Sequence, residues 1–378
     1  MRLDGYALIL VTVIEILHVA QPTDAGVARY VSDLAAAQAA AGNSVAVACP
    51  NSGPLARWVR RAGATHLDWA ARRSPGPHLV GEVRRLAAHV QEWSPDIVHL
   101  HSSKAGLAGR LAIRNRIPTI FQPHAWSFDA VAGPARWLAV RWERVGARWC
   151  NSIICVSEGE AERGRAAGVN ATVQVIPNGV DRGEWPPTSP AESSAARRGF
   201  DLASSPVAVC VGRLSRQKGQ DVLIEAWPMV RAQLPGATLV FVGDGPARGA
   251  LERRAGPGVV FAGSTDSVRP WLAAADVVVV ASRWEGMSLT MLEAMACERC
   301  VVSTDVPGAR EALTADAVVP RENPQALAES IILRLSDSAL REREASDSLT
   351  RVEVQFDWGR VGAAITRLYE DLRAERGQ

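Results

Sequence analysis

The sequence predicts two doubly wound α/β domains in series, each a parallel sheet with helices on both faces, meeting across a cleft. At 378 residues the chain exceeds what one ordinary hydrophobic core organises, and about 100 to 200 residues per domain gives two. Short β-branched runs alternate with stretches of helical period along its length. The alternation restarts after a Pro-, Ser- and Ala-rich stretch at 184–206.

In the first half the runs predict strands at 14–20, 44–49, 96–100, 118–121, 152–156 and 173–176. A helix is predicted at 27–41, where Val27, Tyr30, Val31 and Leu34 share one face. The second half predicts strands at 207–211, 238–242, 259–262, 277–281, 300–303 and 317–319, with helices including 219–233 and 289–296. The domains are expected at 1–183 and 206–355, joined by a linker at 184–205, with a helix in 356–378 packing back across the junction. Ligands of open α/β sheets bind at the carboxyl ends of the strands, so the cleft is the predicted site.

Residues 1–12 are read as a lead-in of unassigned use. The apolar run at 5–14 falls short of the ~20 residues a spanning helix needs, and Glu15 and His18 interrupt it further on. Hydrophobic residues at 47% and charged residues at 22% exclude a disordered or fibrous chain. The six cysteines lie mostly in apolar runs, as buried thiols of a reducing compartment do, and predict a cytoplasmic protein. Cys297 and Cys300 form a CxxC without a second pair, too little for a metal site.

Net charge is only +2, but a basic excess lies between Pro54 and Arg148. Trp58, Trp69, Trp93, Trp126, Trp137, Trp142 and Trp149 fall in the same region. In "LARWVRRAGA" Leu55, Trp58, Val59 and Ala62 share a helical face and Arg57, Arg60 and Arg61 lie off it; "PARWLAVRWERVGARWC" repeats the mixture. This pattern predicts that the first domain docks on an anionic membrane surface.

The strongest chemical signal is "RWEGMSLTMLEAMA", in which Glu285 leaves a strand and Glu293 falls early in the next helix. One carboxylate can meet sugar hydroxyls while the other accepts both hydroxyls of a ribose. Between them Gly286, Met287, Ser288 and Leu289 form a helix amino terminus suited to a diphosphate. In "VCVGRLSRQKGQDVLIEAW" Gly212 ends a strand, and Arg213 and Lys218 project from the following loop. Two fixed cations stabilise a departing diphosphate more than the bound ground state. Lys104 and Lys218 are the only lysines; every other basic residue is arginine.

Gly243 in "FVGDGP" and Gly263 in "FAGSTD" mark two further strand-end turns, the second placed to grip a base. Gly26 opens the first helix, a second amino terminus facing the cleft. His99, His101 and Lys104 stand at one strand end and His124 near another. His101 and Lys104 are candidates for the acceptor side; a histidine here can donate a hydrogen bond or orient an acceptor hydroxyl. The sequence lacks Asp-x-Asp, GxGxxG with a ribose-binding acid, GxxxxGK[ST] and GxSxG, so protein cations and helix ends are expected to neutralise a diphosphate without a metal.

Together the Gly26 turn, "VIPNGVD", "VGRLSRQKG", "FVGDGP", the Glu285/Glu293 pair and "STDVPGAREAL" resemble family 4 of the retaining glycosyltransferases, over nearly the whole chain. The resemblance implies two Rossmann-like domains of the GT-B fold and transfer of a sugar from a nucleotide-diphosphate donor with retained anomeric configuration. It further implies that Arg213 and Lys218 hold the diphosphate and Glu293 the ribose. Glu285 then contacts the donor sugar, Gly26 backs the diphosphate and His124 lies near the transferred sugar. Ala25, Met287, Ser288 and Glu298 depart from the family's usual residues, which bears on the donor pocket. The expected donor is a UDP- or GDP-sugar and the acceptor a saccharide or lipid-linked saccharide, with no cofactor and no nucleic acid. A sugar-nucleotide epimerase or phosphorylase of similar fold is the alternative.

Overall fold

The computed structural model describes residues 13–202 and 205–377; the lead-in at 1–12 lies outside the described residues. The first sheet holds β1 (Glu15–Ala20), β2 (Ser44–Cys49), β3 (Thr65–Asp68), β4 (Ile97–His101), β5 (Thr119–Gln122), β6 (Ser152–Cys155) and β7 (Val173–Val175). Their spatial order is β3-β2-β1-β4-β5-β6-β7. The second sheet holds β8 (Val207–Val211), β9 (Thr238–Val242), β10 (Val259–Gly263), β11 (Val277–Val280), β12 (Cys300–Thr304) and β13 (Val318–Val319), in the order β10-β9-β8-β11-β12-β13.

Around the first sheet run α1 (Ala25–Ala40), α2 (Leu55–Arg61), α3 (Leu79–Trp93), α4 (Ser102–Ile113), α5 (Gly133–Gly146) and α6 (Glu158–Ala166). There follow α7 (Pro190–Gly199), α8 (Gln220–Gln233), α9 (Arg248–Arg254), α10 (Arg269–Ala274) and α11 (Leu289–Ala296). The chain closes with α12 (Ala309–Ala312), α13 (Pro324–Ser336), α14 (Ser338–Gln355) and α15 (Trp358–Gly377). Strands covered on both faces read as unbroken apolar runs, and β11 is four buried valines. Each sheet reverses its direction of winding once, between β1 and β4 and between β8 and β11. Those are the points where ligand crevices open.

Several expectations change in the folded chain. The edge strand β3 was not predicted, because Thr65–Asp68 has one apolar residue and no alternation to announce it. The stretch read as a linker contains α7, capped by the Ser189 hydroxyl and begun by Pro190. The Phe200 ring after α7 stacks on Trp271 of α10, centroids 3.5 Å apart, so this segment packs against the second domain.

The docking face predicted on α2 is turned inward. Leu55, Ala56 and Val59 are buried in the first core with Trp58 packed on it, leaving only arginines outside. Trp69 and Trp126 are buried as well. By contrast, α5 buries only Glu143 and Gly146, while Trp137 is 59% and Leu138 61% exposed. Helix α15 lays Val361, Ile365, Tyr369 and Leu372 into the core formed by β1, β2 and α1. The main chain at Val180 pairs with Phe356 and Trp358, guiding the chain back to that first domain.

Candidate functional site

At the second switch point a close backbone contact sets the chemistry. Gly219, in the left-handed region at φ 63°, sits so near the end of β11 that a Cβ would come within 2.0 Å of the Ala281 carbonyl oxygen. Only glycine fits, and the Lys218 loop is thereby held against the Glu285 loop. Lys218 forms an ion pair with Glu285, which also accepts a 2.9 Å hydrogen bond from the Ser282 hydroxyl. Arg213 is half-buried and follows Gly212 at the end of β8, where a Cβ on Gly212 would lie 3.4 Å from Lys218 Cε. Gly212, Gly243 and Gly263 line up at the ends of β8, β9 and β10, the amide of Gly243 bonding to the Gly263 carbonyl at 2.8 Å.

Ser288 caps α11, accepting from the Met291 amide, so Gly286 to Leu289 form the amino terminus the sequence predicts. Met287 differs in one respect: its side chain is buried in the core, leaving only its backbone to face a ligand. Glu293 lies in the second turn of α11, and burial pushes its carboxyl up to about 7 against the pull of Arg29. A cavity of about 360 Å³ opens beside it, bounded by Arg29, Asp33, Glu184, Trp185 and Trp358.

At the first switch point α1 starts at Ala25, whose φ of 58° is left-handed. A Cβ on Gly26 would lie 3.5 Å from Leu289 Cδ1, so the amino termini of α1 and α11 confront each other across the cleft. Two dipoles and two sets of free N–H groups thus converge on one space, as a diphosphate requires.

Behind this space lies a histidine array. His18 pairs in register with His99 on the neighbouring strand, and His101 follows on the same face. His18 Nε2–H donates to Gln38 Oε1 at 2.7 Å, so His18 Nδ1 accepts from His101 Nε2–H at 3.0 Å. His101 Nδ1 then accepts from His124 Nε2–H at 3.2 Å. The chain leaves His124 Nδ1 with its lone pair. Burial holds His18 at about 4 and His124 at about 3, so both rings are neutral at physiological pH. His99 and His101 are lowered well below the usual range by burial and by neighbouring imidazoles.

His99 Nδ1 bonds to the Tyr369 hydroxyl of α15 at 2.6 Å. Nitrogens of His18, His99 and His101 lie within 4.8 Å of one another, the one such cluster of His, Cys, Asp or Glu groups among the described residues. Their lone pairs and protons are largely spent on the hydrogen bonds just described.

The structure corrects the acceptor-side assignment of His101 and Lys104. His101 is fully buried between His18 and His124. Lys104 is buried in a 2.5 Å ion pair with Glu82 and donates to the Ser74 carbonyl at 3.4 Å. Neither head group reaches the cleft, because burying a charge demands a partner and Lys104 has found one. Unforeseen residues join the halves instead. Asn178 Nδ2 donates to the Met287 carbonyl at 2.8 Å, and Ser157 Oγ donates to the Gly286 carbonyl at 3.2 Å. Glu311 accepts from the amides of Glu158 and Gly159 at 3.0 and 3.1 Å. Asn178 belongs to the "VIPNGVD" motif and Glu311 to "STDVPGAREAL", so two of these three residues lie in motifs the sequence displays, whereas Ser157 lies in neither.

Known proteins resemble this chain in sequence and in fold. Residues 25–184 match the family model described as "Glycosyltransferase Family 4" and residues 205–337 that of "Glycosyl transferases group 1". A GDP-mannose-dependent monoacylated alpha-(1-6)-phosphatidylinositol monomannoside mannosyltransferase of Corynebacterium glutamicum is 32% identical over 54% of this chain, which spans 58% of that enzyme. A D-inositol 3-phosphate glycosyltransferase of Jonesia denitrificans is 29% identical over 78% of this chain and 75% of its own. Among solved structures, Anabaena Alr3699/HepE in complex with UDP and glucose superposes with a TM-score of 0.82 at 22% identity, covering 94% of this chain and 99% of that one.

Proposed function

Since the chain belongs to the family 4-like glycosyltransferases of GT-B fold, we propose that it transfers a sugar from a UDP- or GDP-sugar to a saccharide or lipid-linked saccharide, with retention and without a metal. One observation carries the reading. The Lys218–Glu285 pair and the opposed amino termini of α1 and α11 converge on one cleft where the two switch points meet. A nucleotide diphosphate needs cations and N–H donors there, and a sugar needs carboxylates.

In this reading Arg213 and Lys218 take up the charge that grows on the diphosphate as the glycosidic bond breaks. Glu293 accepts from the ribose diol, Glu285 and the backbone of Gly286 to Leu289 hold the sugar and diphosphate, and Gly26 lets α1 approach the phosphates. His124, with Nδ1 as acceptor, orients a hydroxyl of the transferred sugar. With the leaving phosphate oxygen on the face from which the acceptor arrives, the departing group can take the acceptor proton, which yields retention. GDP-mannose in one relative's name and UDP in a neighbour's complex support a purine or uracil diphosphate donor. A cytoplasmic enzyme meeting its acceptor at an anionic inner membrane face fits the arginine-flanked apolar surface of α5.

Thermal-shift screening against UDP-, GDP-, dTDP- and ADP-sugars tests the donor, because ligand at 100 times its dissociation constant adds about 2.7 kcal/mol. With that donor, turnover is expected to survive EDTA, and Lys218→Ala to lower kcat by about 10²-fold. Activity lost to chelator and restored by magnesium or manganese overturns metal independence. A near-normal kcat in Lys218→Ala overturns the role of that cation.

A further inference from the structure

Glu160, in the first turn of α6, has no part in the proposed chemistry, yet it is 1% exposed and surrounded by the site. One carboxylate oxygen accepts from the Ala125 amide at 2.6 Å and the other from the Val156 amide at 2.7 Å. Its backbone carbonyl accepts from the Trp126 indole at 2.8 Å. The segment it grips is strained: His124 and Ala125 are consecutive non-glycine residues at φ 54° and φ 93°. Such backbone is strained in non-glycine residues and persists only where the surroundings impose it. The donor side presses on the same spot. A Cβ on Gly286 would meet Val156 Cγ2 at 2.7 Å, Glu160 Oε1 at 3.0 Å and the Ala125 amide at 3.1 Å.

We propose that Glu160 is a positioning residue: its carboxylate clamps the Ala125 amide, holds the strained turn that aims His124 into the cleft, and docks that turn on Gly286 of the opposite domain. The inference rests on the reading of His124 as a sugar-orienting group. Only a carboxylate satisfies both amides at once, since a carboxamide offers one acceptor oxygen and turns an NH2 towards the second amide. Burial pushes the Glu160 carboxyl up to about 7, the cost of placing an acceptor where water is excluded.

The test is a double-mutant cycle of Glu160→Gln and His124→Ala, using the sugar nucleotide chosen by the thermal screen. Glu160→Gln is expected to lower kcat by roughly ten- to a hundredfold, the scale of an ångström-sized misplacement. Affinity for free UDP or GDP should stay within about twofold, because the proposed nucleotide contacts come from α1 and the second domain and none from α6. In a His124→Ala background the same substitution should cost almost nothing further, since residues acting through one another are not additive. Glu160→Asp, which keeps a carboxylate, should recover part of the loss.

A Glu160→Gln factor that recurs in full in the His124→Ala background overturns the proposal, as does a loss that tracks nucleotide affinity or melting temperature. So does an unaltered His124 signal in imidazole ¹⁵N spectra of Glu160→Gln. Full turnover in His124→Ala alone, with Glu160→Gln impaired, removes the reading of His124 and the proposal together. That result is distinguishable because the single Glu160 variant then acts by another route.

Discussion

A carboxylate that must be ionised to serve and is buried enough to resist ionisation makes binding sensitive to pH. Glu293 is such a group: burial raises it to about 7, Arg29 and Lys218 oppose the rise, and Glu184 and Asp33 add to it. The ionised form, the better acceptor for a ribose diol, prevails above that value and is lost as pH falls through it. Affinity for the nucleotide is therefore expected to drop about tenfold from pH 8 to pH 6, as one proton requires. Asp33, itself raised to about 6 by burial, titrates nearby, so Glu293→Gln is the control. An unchanged pH profile in that variant assigns the effect elsewhere. Ala25 carries a different cost, since a methyl group at φ 58° opposes the left-handed backbone. Ala25→Gly is expected to stabilise the fold by about 1 kcal/mol and raise the melting midpoint by about 2 °C. A lower midpoint in calorimetry contradicts that account. Glu285, Glu293 and Lys218 stood out in the sequence by chemical type, because they fall in the loops and the helix that follow β8 and β11. Glu160 and Tyr369 did not, since their partners at Ala125 and His99 lie 35 and 270 residues away.

Elements with a pronounced period announced themselves, and those without one did not. Unbroken valines gave β11, whereas the half-exposed Thr65–Asp68 and the polar α7 carried no alternation to read. Amphipathicity proved legible in kind but not in direction. The apolar residues of α2 and α5 look alike as sequence, yet Leu55 and Val59 of α2 are buried against the first core while Trp137, Leu138 and Val145 of α5 are exposed. On α5 Arg141 lies over the Trp137 ring at 4.8 Å, and Arg136 lies 5.9 Å from the Phe128 centroid. If this helix meets anionic lipid, each arginine near the surface contributes about 1 kcal/mol. Trp137→Ser combined with Arg141→Ser should then abolish co-sedimentation with acidic vesicles at low salt. Replacing Arg57, Arg60 and Arg61 by Ala should leave it largely intact. The reverse ranking relocates the contact to α2, and no sedimentation by the parent protein ends the idea.

The two sheets of the molecule are tied by, among other contacts, the cleft contacts of Asn178 and Ser157, the Glu311 clamp on α6, and the return of α15 to the first core. The first two involve few groups and can separate, which suits a cleft that must open to exchange nucleotides. The third buries Val361, Ile365, Tyr369 and Leu372, and its loss would bare the helix's entire seat. Residues 13–183 produced alone are accordingly expected to aggregate or bind hydrophobic dyes, and a peptide of residues 356–377 added in trans to restore a cooperative melt. A soluble, cooperatively melting 13–183 fragment shows that α15 is dispensable to that core. The ribosome faces the same arithmetic. At roughly 5–20 residues per second, the nearly two hundred residues separating the first sheet from α15 take on the order of ten seconds or more to emerge. For that interval the nascent first domain lacks its covering helix, so the second domain has time to fold ahead of the completion of the first.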